Sequence, residues 1–526
     1  MPEAGQSKHV IRNTGKQCRR ESILLQSFSD SLAENLSAFE SELCAPRNED
    51  VIMHRFACLG AEAALIFIDG MTDREMTNIS VLKPCLSANA DSVEPCMRAE
   101  YLISHVLNAC GAKLAESPDE ALSLMLSGRA LLLIDGCAQV IVCDVPGFDT
   151  RAVSQPVTES VIVGPHEGFN ENLRTNITLI RRIIRAPQLI TEMLEIGTDV
   201  KKRVALMYMN GIARADIVDT MRRRVQSLNI ATITEIGQIE QLIEDSPSAL
   251  IPQMLMTERP DRAASCLMDG QVVLLCDGSP TAMAAPATLF HMIHASDDTN
   301  MRWEYGTFIR IVRVIGMLLS MLLPGLYLAL MLFHPEVIPM GLLTSIMETH
   351  AKVPFPTVVE VLILVLSFDL IQESATRVPG ALGSTLGIVG ALILGEAAVS
   401  ADIISPILVI VIALTGLGNY AVPDYQFSIA LRILRLLFIF AGASAGLFGL
   451  SLAAFFCTTY MCGMKSLGQP FLAPMAPYRP HNPDILLRLP LYCQRYRLFT
   501  ATPAARRAAG KRVRGWKRND NRGGGK

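Results

Sequence analysis

The sequence predicts an α/β cytoplasmic head made of two related subdomains, followed by an α-helical multi-span membrane domain. Three observations predict this: a strongly apolar composition, an internal repeat and an uneven charge. Of the 526 residues, 50% are hydrophobic and only 18% are charged, and the mean hydropathy is +0.33. These values indicate a part of the chain that does not lie in water, and the length predicts more than one domain.

Charge separates the C-terminal segment from the rest of the chain. From Arg479 to Lys526 there are 13 Lys and Arg residues against two aspartates. A basic segment that follows apolar spans is typical of the cytoplasmic side of a membrane, so we predict a cytoplasmic tail that does not bind nucleic acid. Met1 to Arg20 is polar and lacks the apolar stretch of a secretory signal, so the head is also expected in the cytoplasm.

An internal repeat organises the head. Residues 64–70 recur at 205–211, and Ser117-Pro-Asp recurs as Arg259-Pro-Asp, at offsets of 141 and 142. Each copy has an apolar run typical of a buried strand, a helix that begins at the proline, and an Asp-Gly turn after a second apolar run. Each copy is therefore predicted to form a small α/β subdomain.

The predicted organisation has six parts. Residues 1–55 form a flexible or helical N-terminal extension, and 56–160 the first α/β subdomain. Residues 161–195 contain a connecting amphipathic helix, because apolar residues recur at helical spacing between Phe169 and Arg185. The remaining parts are the second α/β subdomain (196–300), a transmembrane domain of four to six helices (310–465) and the basic cytoplasmic tail (466–526).

Long apolar runs predict the membrane helices. Four runs have a suitable length, and a fifth, Phe355–Glu373, is ambiguous because it carries acids. The four are Val314–Phe333, Ala381–Val399, Ile403–Gly418 and Leu436–Met461. Pro324 and Gly325 predict a kink or break in the first. Basic and aromatic residues before it are typical of membrane-interface anchors; they are Arg302, Trp303, Tyr305, Arg310 and Arg313.

Acidic residues in the membrane region are the predicted functional groups. An ionisable side chain in a membrane is costly and usually faces a bundle interior or water. The candidates for a pore or gate are Glu396, Asp369, Glu373, Asp402 and Glu360. The alternative is that these acids lie among lipid headgroups or pair with Arg377, Arg432 or Arg435, which is the interpretation favoured for Glu360.

No motif predicts an enzyme, a metal site or a cofactor. Gly442-Ala-Ser-Ala-Gly446 matches a hydrolase pattern, but it lies in an apolar segment, where small residues serve close helix packing. His291 and His294 lack an evident third ligand. The head contains neither a Walker sequence nor a dinucleotide-binding fingerprint.

Several strings together resemble the A subunit of the GerA-type spore germinant receptors. They cover roughly residues 130–480 and occur in order in both the head and the membrane region. In the head they include Gly164-Pro-His-Glu-Gly-Phe-Asn-Glu171, Thr257-Glu258-Arg259-Pro260-Asp261 and Asp277-Gly278-Ser-Pro280. In the membrane region they include Leu323-Pro-Gly-Leu-Tyr327, Val353-Pro-Phe-Pro356, Gly387-Ile-Val-Gly390 and Phe471-Leu-Ala-Pro-Met-Ala-Pro477.

This resemblance implies a nutrient receptor subunit of the spore inner membrane that triggers germination. It also implies a transporter-like B subunit and a lipoprotein C subunit as partners, and a homo-oligomer that forms a membrane channel. The segment before residue 60 and the tail after Arg479 match nothing recognisable in the family. A sporulation stage V paralogue, a secondary transporter and a membrane scaffold are the alternatives, although no repeat supports two transporter halves.

Overall fold

The computed structural model describes residues 27–88, 94–107, 111–147, 163–377 and 395–478. It also describes 155–156, 159, 161, 485, 487–494, 496–497, 503–505 and 507. Two α/β units come first, and a group of apolar helices follows.

The first unit consists of one five-stranded sheet and several short helices. Its antiparallel sheet has the strand order β1-β2-β4-β5-β3. The strands are Val51–Cys58 (β1), Ala61–Ile68 (β2), Lys113–Leu114 (β3), Ala130–Ile134 (β4) and Ile141–Cys143 (β5). The helices are Leu32–Glu42 (α1), Arg74–Thr77 (α2), Lys83–Ser87 (α3), Arg98–Tyr101 (α4) and Pro118–Met125 (α5), with π-helical turns at Asn78–Leu82 and Leu102–Val106.

The second unit repeats this arrangement. Its antiparallel sheet has the order β6-β7-β9-β10-β8, which is the same path through space. The strands are Leu189–Ile196 (β6), Lys202–Met209 (β7), Leu255–Thr257 (β8), Val272–Cys276 (β9) and Ala282–Ala285 (β10). The helices are Leu173–Ile183 (α6), Ala215–Gln226 (α7), Ile236–Ile243 (α8), Pro260–Met268 (α9), Leu289–Ile293 (α10) and Asp297–Asn300 (α11).

The sequence repeat explains why the two sheets share one topology. The proline that begins α5 and the one that begins α9 occupy the first helical turn, where a missing N–H has no cost. Gly136 and Gly278, at the predicted Asp-Gly turns, have φ angles of 80° and 77°. Glycine adopts this conformation without the strain that a Cβ would add.

Helix α6 is the helix predicted between the repeats. Its apolar face, with Leu173, Ile177 and Ile180, packs in the core of the second unit. Buried Arg181, one turn after Ile177, donates to both carboxylate oxygens of Asp50, at 2.7 and 2.9 Å, and to Asn48 Oδ1 at 3.0 Å. The ion pair therefore ties α6 to the segment just before β1, which the sequence placed in a flexible or helical extension.

In the described part of the chain after the two units, four long or apolar helices have complete bounds, with one short helix between the first two. They are Trp303–Phe333 (α12), Met340–His350 (α13), Thr357–Arg377 (α14), Pro406–Tyr420 (α15) and Tyr425–Gly463 (α16). Among the described residues, α12 and α16 are long and apolar enough to cross a membrane. The predicted span Ala381–Val399 lies almost wholly outside the described residues, although 395–400 are helical.

Helix α16 is a hairpin and not one tilted rod. Gly446 has φ 60° and ψ −141°, and Ala445 beside it is also non-helical. Phe427 and Met464, at the two ends of α16, lie in one core with the second unit. A straight helix of 39 residues would be about 58 Å long, so its ends could not meet in one core. The prediction of a single span at Leu436–Met461 is therefore wrong.

The hairpin and α15 define two ends of the helical region. The head end is where Val422, Phe427 and Met464 contact the second unit. The far end contains Phe333, against which Gly446 packs.

Of the predicted kink or break at Pro324 and Gly325, a break is absent, because α12 is continuous from Trp303 to Phe333. Instead, these residues lie where α16 approaches most closely. A Cβ on Gly325 would lie 2.4 Å from the Phe438 carbonyl oxygen, and a Cβ on Gly442 would lie 2.3 Å from that of Gly325. Close packing against a neighbouring helix allows an apolar helix to continue through a proline.

Candidate functional site

A cleft lies between the first unit and α6. Its volume is about 350 Å³. It is lined by Gly70, Thr72, Asp73, Arg74, Glu75 and Gly147 of the first unit, and by Asn172, Arg174, Thr175, Thr178, Leu179 and Arg182 on or next to α6. Both units therefore contribute walls, and a change in their relative position would change the cleft.

The chemistry of the cleft is mixed in charge. Arg74 and Arg174 both contact Asp69, at 2.9 and 2.5 Å, while Glu75 is exposed at the rim. Thr72 is 1% exposed, and its Oγ1 has no hydrogen-bond partner among the described residues. Guanidinium, carboxylate and hydroxyl groups in one concave site suit a small polar or zwitterionic molecule.

The family motif of the head, residues 257–261, lies away from this cleft and makes structural contacts. Arg259, 1% exposed, pairs with Asp261 at 2.8 Å and donates to the Pro165 carbonyl oxygen at 2.9 Å. Thr257 Oγ1 donates to Glu159 at 2.5 Å. This part of the motif therefore fixes the segment around residues 159–165 against the start of α9.

The remaining motif residues are at other points of the second unit. Glu258 accepts from the Phe169 N–H through its carbonyl oxygen at 2.8 Å, and Pro260 begins α9. Asp277 Oδ1 accepts from the Leu173 N–H at 3.5 Å, and the Gly278 N–H donates to the Glu171 carbonyl oxygen at 2.7 Å. Both contacts hold the start of α6 and so support one wall of the cleft.

A buried ion cluster, which we call the neck, joins the second unit to α12. Asp298 is completely buried, and its Oδ2 accepts from Arg310 at 3.2 Å and from Arg313 at 2.6 Å. Arg310 is 1% exposed. Arg310 and Arg313 are therefore ion-pair partners of the head. Their predicted role as membrane-interface anchors stays a prediction, and the structure adds Asp298 as a partner for both.

Described residues of the C-terminal segment, 485 and 487–494, lie against this neck, and we call them the strap. Arg488, 3% exposed, donates to the carbonyl oxygens of Thr299 and Met301 at 2.8 and 2.9 Å, and also to that of Asp298. Burial, together with the charge of Arg310, holds the pKa of His294 well below its usual value. Neutral His294 contacts the Ile485 carbonyl oxygen through Nε2 at 2.6 Å. The strap therefore holds the junction between the second unit and α12.

A second contact between the head and the helices involves Glu240 of α8. This residue is 3% exposed, and its Oε2 accepts from Gln426, in the first turn of α16, at 3.4 Å. Its Oε1 has no hydrogen-bond partner within the described part of the chain. Burial, together with the charges of Glu244 and Asp424, raises the pKa of Glu240 to about 7.

We expect this contact to weaken as the pH rises. Because the pKa of Glu240 is raised in the folded chain, its stability contribution is complete below its usual value of 4.5 and is lost as the pH passes about 7. Glu240→Gln keeps the shape without the charge, and should stabilise the purified protein by on the order of 1–3 kcal/mol at pH 8. Thermal unfolding from pH 5 to 8 measures this.

Glu244→Gln is the matched control, since Glu244 lies one turn away and is more exposed. It should remove less of the pH dependence. Equal pH profiles for the native chain and Glu240→Gln would contradict the assignment.

The predicted acids of the membrane region do not form one group in the described structure. Asp369 accepts from Arg435 at 2.6 and 2.7 Å, which matches the alternative of pairing with arginine. Glu373 is exposed on α14. Glu360 is 1% exposed and accepts from the Ser405 N–H at 2.5 Å. It is therefore a buried group, not a headgroup or arginine partner as favoured from the sequence.

Glu396 and Asp402 lie near the start of α15. Glu396 is exposed on the helical stretch 395–400, and Asp402 is exposed with a φ angle of 52°. Aspartate tolerates this left-handed conformation better than most residues, and Asp402 lies in the turn between the helical stretch 395–400 and α15.

Comparison with known proteins identifies the family. The family model described as "Bacillus/Clostridium GerA spore germination protein" matches residues 38–499. The chain belongs to the GerA family. The GerA match includes residues 38–59 of the segment before residue 60 and the tail as far as residue 499, so the prediction that nothing in these parts matches the family is wrong for those residues. GerA proteins are spore germination proteins and not a known class of enzymes.

Relatives in the GerA family match along most of their length. Spore germination protein KA of Bacillus subtilis (strain 168) is 34% identical over 474 residues, covering 89% of this chain and 86% of that protein. Spore germination protein B1 of the same organism is 34% identical, covering 87% and 95%. The crystal structure of the N-terminal domain of the A subunit of the Bacillus megaterium spore germinant receptor GerK3 is 26% identical, with a TM-score of 0.40, covering 50% of this chain and 97% of that domain.

Sequence reasoning missed the cleft residues, Asp298, Arg488 and Glu240. Asp298 and Arg488 are far apart in the chain, so no local spacing could connect them. One signal was available for Asp298. It stands in Ser296-Asp-Asp298 just before a basic cluster, and buried guanidinium groups require a carboxylate partner.

Proposed function

We propose that this chain is the A-type subunit of a nutrient germinant receptor in the spore inner membrane. In this proposal the head responds to a small nutrient, and an oligomer of the membrane helices conducts ions or relays the signal. The transporter-like B subunit and the lipoprotein C subunit are its proposed partners. The membrane region is proposed to be multi-pass.

The observation that carries the proposal is a hydrophobic core shared by the head and the membrane helices. Ile293 and Leu267 of the second unit lie in one core with Phe427 and Met464 of α16. Phe471, after the hairpin, is completely buried in the same core. Cores are close-packed and transmit strain, so a movement of the second unit would reach both arms of the hairpin.

The cleft supports a nutrient-sensing role for the head. Its volume lies in the range of small-molecule sites, and α6 is both its wall and a part of the second-unit core. A ligand that draws the two units together would therefore act on the core that holds α16. The buried Arg181–Asp50 pair lies at this same boundary between the units.

The path of the hairpin supports head and tail on one side of the membrane. After α16 the chain returns to the head at Met464, and Gly468 donates to Asp245 of the head at 2.7 Å. The strap then contacts the neck. We place this side in the spore core.

Potassium efflux from liposomes tests the proposal. The native chain, purified as an oligomer, is expected to release potassium, and Glu396→Gln should change the rate several-fold because the substitution removes an exposed charge beside α15. Glu348→Gln is the control, since Glu348 is an exposed acid on α13. The measurement is made with and without the B and C subunits, in case opening requires the assembled receptor.

Two results would separate the competing functions. No efflux from well-formed oligomers in either state would overturn ion conduction and favour a scaffold. Efflux that is identical in the native chain and in Glu396→Gln would retain conduction and remove Glu396 from the pathway.

A further inference from the structure

Four buried polar atoms without a hydrogen-bond partner in the described part of the chain, one of them Glu360 Oε2, belong to residues at the far end of the helices. Among the described residues, Glu360 Oε2, Tyr327 Oη, Ser405 Oγ and His350 Nε2 are buried atoms that lack a hydrogen bond. Glu360 is 1% exposed, Ser405 0% and Tyr327 8%. A buried polar group without a partner costs about 1–3 kcal/mol, so such a group indicates something bound there.

The cluster is assembled from four different elements. Tyr327 belongs to α12, His350 ends α13, Glu360 lies in the first turns of α14, and Ser405 caps α15. Tyr327 packs in one buried cluster with Val361 and Ile404. Val361 follows Glu360 in the sequence, and Ile404 precedes Ser405. These groups are therefore held at one place by the packing of α12, α14 and α15.

Glu360 is anchored by one oxygen and open at the other. Its Oε1 accepts from the Ser405 N–H at 2.5 Å, whereas Oε2 lies 3.4 Å from His350 Nε2, within ion-pair distance but without the geometry of a hydrogen bond. In the described structure no Lys or Arg lies within ion-pair distance of Glu360. A buried carboxylate needs a positive partner or a proton, because an isolated charge is strongly disfavoured away from water.

We propose that Glu360, Tyr327 and Ser405 form a binding site for a small monovalent cation, K⁺ or Na⁺, with His350 closing it from the α13 side. Carboxylate, phenol and hydroxyl oxygens are hard ligands that suit such ions. One carboxylate balances one positive charge, and this distinguishes the site from divalent sites with several carboxylates. The bound ion would join α12, α14 and α15 at the far end, so the site differs in place and role from the cleft and the neck.

Thermal unfolding of the full chain in detergent tests the site. At constant ionic strength, KCl or NaCl is compared with choline chloride, because choline is too large for the buried site. We expect a higher Tm in K⁺ or Na⁺ that saturates with concentration. Glu360→Gln should abolish the difference between salts, and Glu348→Gln on the exposed face of α13 should retain it.

Two milder variants keep the test decisive if Glu360→Gln fails to fold. Tyr327→Phe and Ser405→Ala each remove one oxygen without changing the charge. Each should raise the half-saturating cation concentration about tenfold, which corresponds to 1.4 kcal/mol.

Three results would overturn the proposal. The first is an equal Tm of the native chain in all three salts. The second is cation-specific stabilisation that survives Glu360→Gln, or that is unchanged in both milder variants. The third is stabilisation that follows pH but not the identity of the cation, which would assign a proton to the Glu360–His350 pair. None of these results depends on potassium efflux, so the site and the proposed function can fail separately.

Discussion

Replacing Asp298 by asparagine is expected to destabilise the full chain by about 3–5 kcal/mol, since it removes the buried carboxylate that pairs with Arg310 and Arg313. Asp298 is 0% exposed and Arg310 is 1% exposed, so water cannot replace the lost carboxylate. The variant should also loosen the neck selectively. Thermal unfolding measures the first effect, and hydrogen exchange of the backbone between residues 294 and 307 measures the second.

The neighbouring aspartate provides a matched control. Asp297 is partly exposed, and its carboxylate accepts only a 3.4 Å contact from the Val163 N–H among those described. Asp297→Asn should therefore change the stability by no more than about 0.5 kcal/mol. Equal effects of the two substitutions would contradict the role of Asp298.

A double-mutant cycle isolates the ion pair from other effects of the substitution. Asp298→Asn combined with Arg310→Gln should cost less than the sum of the single changes, because Arg310 and Asp298 contact each other directly and either substitution already removes their ion pair. If the costs add, the destabilisation does not come from the pair.

The consequence of a loosened neck depends on the strap. Arg488 contacts the backbone of residues 298–301, and the Thr307 side chain bonds both the N–H and the carbonyl oxygen of Arg488, at 3.1 and 3.3 Å. The strap would therefore still hold the head near α12 when the ion pair is lost. We expect local exchange to increase without separation of head and membrane helices.

Local sequence signals predicted the head well. The repeat, the prolines that begin α5 and α9, and the glycines after β4 and β9 act over a few residues, and the structure places strands and helices where these signals indicated. The shared strand order of the two sheets follows from the same repeat. What the sequence could not supply was the contact between units, such as Arg181 with Asp50, because its partners lie far apart in the chain.

The acids of the predicted membrane region also have partners that their local sequence does not reveal. Asp369, Glu373 and Glu360 were assigned from their position along one helix, but their environments depend on other helices. Arg435 of α16 neutralises Asp369, and Ser405 of α15 binds Glu360. Helical spacing gives the face of a residue, and the partner on that face depends on packing that one segment does not encode.

The Gly442–Gly446 stretch shows why an apolar run alone does not count membrane crossings. Small residues favour close helix packing, and at Gly442 the structure uses them for that purpose. Gly446 instead supplies a turn, and the two roles are not distinguished by composition. The run therefore contains two antiparallel arms where length predicted one tilted span.

Replacing Gly446 by leucine is expected to prevent the hairpin. Its φ of 60° with ψ of −141° is essentially restricted to glycine, at a cost of about 1–3 kcal/mol for other residues, and a Cβ would lie 2.9 Å from Phe333. Cys462 at the end of α16 and Cys493 in the strap are both exposed. With the hairpin intact, the proposed topology places both on the same face of the membrane. A membrane-impermeant maleimide should therefore label both from one side of sealed vesicles. In Gly446→Leu, Cys462 should lose this shared access, or the protein should fail to accumulate.

Gly463→Ala is the matched control, because no atom lies within 4 Å of the added Cβ. Labelling of Cys462 and Cys493 from opposite faces of the native chain would instead require a single crossing, and the core that joins Phe427 to Met464 could not then exist.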